Sequence, residues 1–135
     1  MKTKITITIA RVLLGAIFAF AGINGFLLLI GIEPLGATSV HVPFMQVLVS
    51  TPYVIIPLKA AELTAGILLL INRFVPMALL ILVPIGCNIF LFHLFADQSL
   101  LLNGFIVLGL LSILLYHYRG HYSQLLVYRT DNVLR

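Results

Sequence analysis

The chain has little sulfur chemistry and little charge. Its single cysteine, Cys87, excludes an internal disulfide, a C-x-x-C redox pair and a cysteine-rich metal site within one chain, so any thiol redox function needs a partner. Charged residues make up 9% of the 135 positions, against about a quarter in a soluble domain. The net charge of +4 comes with no basic run and no basic patch interleaved with aromatics, so it does not point to nucleic acid. No polar stretch is long enough to form a soluble catalytic domain. What remains is 61% hydrophobic and lies mostly in four long apolar runs, which predicts an all-α integral membrane four-helix bundle, a single domain over residues 1–135.

Crossing ~30 Å of hydrocarbon takes ~20 apolar residues in a helix. Runs of this kind are expected over Ile5–Ile32, Tyr53–Ile71, Val75–Phe95 and Leu100–Tyr118, with a polar, basic tail over residues 119–135. The opening MKTK and Ala19-Phe20-Ala21 mimic a signal peptide, but the apolar run continues past that cleavage-like site. Between the first two spans, Pro34, Gly36, Pro43 and Pro52 interrupt the chain, and PFMQVLVS is too short to span. It predicts a brief interfacial helix with Pro43 in its first turn. Pro84 should kink the third span.

With four spans, Lys2, Lys4, Arg11, Arg73, Arg119, Arg129 and Arg135 all fall on one side, whereas the opposite loops carry Glu33 and Asp97. The positive-inside rule then places both termini in the cytoplasm. Tyr116, His117, Tyr118, His121 and Tyr122 form an aromatic belt at that boundary.

Lys59 and Glu62 interrupt the second run where lipid tolerates neither, since a charge near the bilayer centre costs roughly 2.5–3.5 kcal/mol even on insertion scales. At ~1.5 Å per residue, Glu62 sits near the midplane, with Asn24, Lys59 and Asn88 ~5 Å toward the non-cytoplasmic side and His93 and Asn103 ~10–12 Å. A polar pocket built from Lys59, Glu62, Asn88, His93, Asn24 and Asn103 is therefore expected, with Asn24 pointing well away from the rest of its helix's stripe. On the third helix Asn88 and His93 would form the edges of a broad inward face including Ile85, Ile89 and Phe92. On the fourth, Asn103, Val107, Leu110, Leu114 and His117 lie along one line. Arg11, Gly15, Phe18, Gly22 and Gly25 form a stripe whose small residues allow close approach of a neighbouring backbone, within one chain or in a homo-oligomer.

Two interpretations of Lys59 and Glu62 stay open: an ion pair that holds helices together, or a carboxylate tuned by burial and a nearby lysine for proton or ligand work. His117 and His121 have i, i+4 spacing that suits a metal, but Gly120 separates them and no third ligand accompanies them. Cys87 is expected to be a small packing residue.

The segments ARVLLGAIFAFAGINGF, PLKAAELTAGILLLINRFVPMALLILVPIGCNIFLFHLF and YRGHYSQLL resemble the DoxX family of small four-helix bacterial membrane proteins over nearly the whole chain. That resemblance implies residence in the bacterial cytoplasmic (inner) membrane and an accessory, non-catalytic subunit of a quinone-linked oxidoreductase system, with Glu62 and His93, then Lys59 and Asn88, as the residues carried over. The leading expectation is thus a pocket for a quinone or similar amphipathic molecule, beside an oxidoreductase partner protein. The alternatives are a structural or assembly protein in which the buried pair only fixes helix packing, with partners docking on the helices or on residues 42–50, and a small-solute carrier.

Overall fold

A computed structural model describes residues 2–36 and 39–123. Four long helices, α1 (Lys2–Leu29), α3 (Pro52–Leu70), α4 (Val75–Phe95) and α5 (Leu101–Tyr118), are joined by the short α2 (Pro43–Val49) and by 3-10 turns at Gln98–Leu100 and Arg119–His121. The described residues contain no strand. Each long segment is apolar and long enough to cross a bilayer, so the chain is a multi-pass membrane protein with an all-α four-helix bundle. Of the tail, only residues up to Ser123 are described.

The bundle runs up and down, with α1 against α3, α3 against α4, α4 against α5, and α5 closing back on α1. One end, which we call basic, carries Lys4, Arg11, Arg73 and Arg119; there the Tyr122 hydroxyl donates to the Pro76 carbonyl at 3.1 Å, tying the end of α5 to the start of α4. The other, acidic end carries Glu33 and Asp97. The apolar core, built from Leu14, Phe18, Leu69, Leu79, Leu82, Val107, Leu111 and Leu114, fills the basic half. In the acidic half the buried positions include Asn24, Glu62, His93, Ser39 and Asp97 and several glycines, with Ile55 as a fully buried apolar side chain. Phe20, Leu80, Leu91 and Phe105, among other large apolar side chains, face outward as lipid-contacting surface.

The helix ends follow from local chemistry. The α1 helix stops at Leu29, earlier than the expected Ile32, because Gly31 adopts a left-handed φ of 78° and its N–H returns to Leu28 while that of Ile32 bonds Leu27 at 2.9 Å. The same closure ends α3: Asn72 takes φ 57°, its N–H bonds the Leu69 carbonyl, and the Arg73 N–H bonds Leu68 at 3.0 Å. Asparagine and glycine are the residues that tolerate this conformation best. Proline opens α2, α3 and α4 within the first turn, where its missing N–H costs nothing.

Candidate functional site

The α1–α3 seam is where the sequence places most of its small residues, and these bring the two backbones nearly into contact. A Cβ on Gly22 would lie 2.7 Å from the Leu63 nitrogen, and one on Gly66 would lie 2.9 Å from both the Ala19 Cα and the Gly15 carbonyl oxygen. Antiparallel packing then sets the register, with Arg11 beside Leu69, Ala19 beside Gly66, Gly22 beside Leu63 and Gly25 beside Lys59. Gly25 has no side chain because the aliphatic stem of Lys59 lies across it.

This register delivers Lys59 and Glu62 to one buried place. Lys59 Nζ donates to Glu62 Oε2 at 2.7 Å, and the side chains are only 14% and 3% exposed. Near the middle of a span, an unpaired ammonium or carboxylate would be strongly disfavoured, so each side chain supplies the counter-charge that makes the other tolerable.

The other residues expected in a shared pocket go elsewhere. Asn24 is buried, but its amide brackets one residue beyond α1: Nδ2 donates to the Leu35 carbonyl at 2.8 Å and Oδ1 accepts from the Leu35 N–H at 3.0 Å. It orders the exit from α1. His93 is also buried, in the α4–α5 seam near Gly104. Its Nδ1 lies 3.1 Å from the Asp97 carbonyl, and since a carbonyl only accepts, Nδ1 carries the proton. Asn88 and Asn103, expected on inward faces, are exposed on the outside of the bundle. Asn88 Nδ2 donates to the Pro84 carbonyl of its own helix at 2.9 Å.

Two local causes account for the difference. On α5, Gly104 takes the inward position by packing against the Phe90 backbone, and the buried line runs Gly104, Val107, Leu111, Leu114. Asn103, about 100° away around the helix, therefore turns outward, as does His117. On α4 the inward line is Leu79, Leu82, Gly86 and His93, with Gly86 seated under Leu111 and Val107, and Asn88 on the opposite side.

Cys87 is exposed rather than packed in the interior. His117 and His121, weighed as metal ligands, are both exposed and flank Tyr118, with ring centroids 5.0 and 5.8 Å from it. Among the described residues, no group of three or more His, Cys, Asp or Glu is placed to hold a metal ion.

Sequence reasoning missed two polar centres. Arg11, taken there as a topology signal on a glycine stripe, is buried and donates from Nη1 to the Leu69 carbonyl and, at 3.4 Å, to that of Leu70. It is a cap supplied by α1 to the C-terminus of α3, where a cation also complements the helix dipole. The second centre is Asp97. Its Oδ2 accepts from the Ser39 hydroxyl, 58 residues away, and its Oδ1 accepts from the Ser99 N–H at 3.1 Å and the Ser99 hydroxyl at 2.6 Å. The Asp-x-Ser spacing signals the local turn, but nothing in sequence announces Ser39.

Hydrogen bonds from Ser39, then Ser99, favour the ionised Asp97 and lower its pKa from 3.8 to about 2. A depressed pKa means this loop tie contributes fully above pH 3.8 and is lost as pH falls through about 2. The protection of the Ser99 amide, its observed exchange relative to the intrinsic rate at each pH, should accordingly stay constant from neutral pH down to that range and fall below it. Asp97→Asn should show the reduced protection already at neutral pH; protection equal to the parent's would show that the tie does not order the loop.

Compared with known proteins, the chain has no match among family models, curated proteins or solved structures.

Proposed function

We propose that this chain is a DoxX-like accessory subunit of the bacterial inner membrane, with both termini cytoplasmic, which serves assembly of an oxidoreductase system by docking a partner on its lipid-facing surface. The observation that carries this reading is Asn88. It stands exposed on a membrane-crossing helix, about 5 Å from the middle of α4; its Nδ2 already donates to the Pro84 carbonyl, but its amide oxygen faces hydrocarbon, where a polar atom is disfavoured unless a partner's polar group meets it. Pro84 lacks the N–H that would reach the Leu80 carbonyl, so the same outward surface also holds a backbone acceptor without its usual helical donor. The basic residues gathered at one end supply the orientation.

In the quinone alternative Lys59 or His93 hydrogen-bonds a ligand oxygen and Glu62 tunes or supplies the proton. Lys59 lies over Gly25 in the α1–α3 seam, His93 is in the α4–α5 seam, and Asn88 faces outward. Lys59 and His93 thus occupy different seams, which favours the assembly role, and that role accounts for Lys59 and Glu62 as a packing pair.

Interhelical hydrogen bonds in membranes contribute about 0.6 kcal/mol on average and up to ~1.7. Asn88→Leu should therefore weaken partner association roughly three- to eighteenfold while insertion and thermal stability stay unchanged. Quantitative co-purification from gently solubilised membranes measures this, and Cys87, exposed on the same helix one residue away, provides a native attachment point for a cross-linker. Unaltered partner recovery from the Asn88→Leu protein would remove this docking role.

A further inference from the structure

The basic end holds a feature that the assembly role leaves unused. Between α1 and α5 an open groove of about 560 Å³ runs from the boundary into the span. Its deep part is lined by Ile7, Ser112 and Ile113, and its mouth by Thr3, Tyr116, His117 and Arg119. From Ser112 to Arg119 along α5 is about 10 Å, so one slot passes from hydrocarbon depth to head-group level. The Arg119 guanidinium stacks 4.5 Å from the Tyr116 ring centroid, which holds its charge at the mouth. Among the described residues, no acidic side chain lines the groove. Thr3 lies in the first turn of α1, whose unpaired N–H groups and positive dipole end add to the attraction for an anion.

We propose that this groove is a binding site for a phospholipid with a net negative head group, whose phosphate meets Arg119, His117 and the Thr3 hydroxyl while an acyl chain lies along Ile7 and Ile113. An inorganic phosphate would satisfy the mouth and leave the isoleucine wall unused. A zwitterionic lipid would fill the wall but bring its own cation to a basic mouth. Only an anionic amphiphile matches both halves. Each basic residue near an anionic membrane surface strengthens attraction by about 1 kcal/mol, or roughly fivefold. The site is independent of Asn88, which lies on α4, away from the α1–α5 groove.

The test is native mass spectrometry of the full chain in detergent, titrated separately with phosphatidylglycerol and phosphatidylcholine of identical acyl chains, and with inorganic phosphate. The parent protein should retain phosphatidylglycerol over phosphatidylcholine, and Arg119→Gln should reduce that preference about fivefold with helicity unchanged. Ile113 is 47% exposed, so Ile113→Trp can fill the slot without disturbing the core; it should reduce retention of both lipids while leaving the charge intact. Equal retention of the two lipids by the parent, an unchanged preference in Arg119→Gln, or displacement of the lipid by inorganic phosphate alone would each overturn the proposal.

Discussion

Replacing Gly66 with leucine is expected to force α1 and α3 apart and to destabilise the bundle by about 3 kcal/mol or more, at or beyond the usual upper range for overpacking. The size of the effect follows from what a side chain at this position would meet. Both the Ala19 Cα and the Gly15 carbonyl oxygen, neighbours on the facing surface of α1, lie 2.9 Å from a Cβ built there. Neither is the end of a flexible chain that could swing aside, so only a shift of a whole helix makes room. Such a shift also withdraws Arg11 from the Leu69 and Leu70 carbonyls and pulls the Lys59 stem from Gly25. Gly109→Leu is the control, because its Cβ would meet nothing within 4 Å. Thermal or denaturant unfolding in detergent should show a large loss for Gly66→Leu and little change for Gly109→Leu. Similar stability of the two variants would mean that α1 and α3 are not held at this distance.

The second large effect concerns the ion pair. Glu62→Ala leaves the Lys59 ammonium within a span with no counter-charge, and Lys59→Met leaves the carboxylate in the same position; breaking a buried pair from one side costs about 3–5 kcal/mol. Removing both charges together, as Lys59→Met with Glu62→Leu, abolishes the desolvation cost along with the attraction and should recover most of that loss. A double-mutant cycle on unfolding free energy measures the coupling. The same double variant also separates an assembly role from ligand chemistry: partner recovery should match the parent when the pair only fixes packing. A double variant that folds normally but no longer supports the partner system would require a direct role for one of the charged groups.

Much of the architecture was legible because the bilayer imposes coarse rules. Four apolar runs of spanning length gave four helices with bounds near those observed, and the glycine stripe on α1 marked the surface against which α3 packs. The orientation of individual polar residues was harder to infer. In a soluble helix the apolar face points inward, but here both lipid and core are apolar, so hydrophobic periodicity fades as a guide to rotation. Asn88 and Asn103 were placed inward on the premise that polar groups avoid lipid. Small residues decided the matter instead: Gly86 and Gly104 allow α4 and α5 to approach closely and turn the neighbouring asparagines out. Both long-range ties, Arg11 to α3 and Ser39 to Asp97, join positions 58 residues apart and needed the fold to become visible.

The Arg11 cap bears on biogenesis. When α1 first enters the bilayer, its guanidinium has no α3 carbonyls to meet and must stay hydrated at the membrane edge. Synthesis must continue through Leu70 before the acceptors exist. Only then can the arginine leave water and settle in its buried place, and the same step closes the glycine seam and covers Lys59 and Glu62. The α1–α3 hairpin is therefore the smallest part of the fold in which Arg11 meets its acceptors and Lys59 meets Gly25.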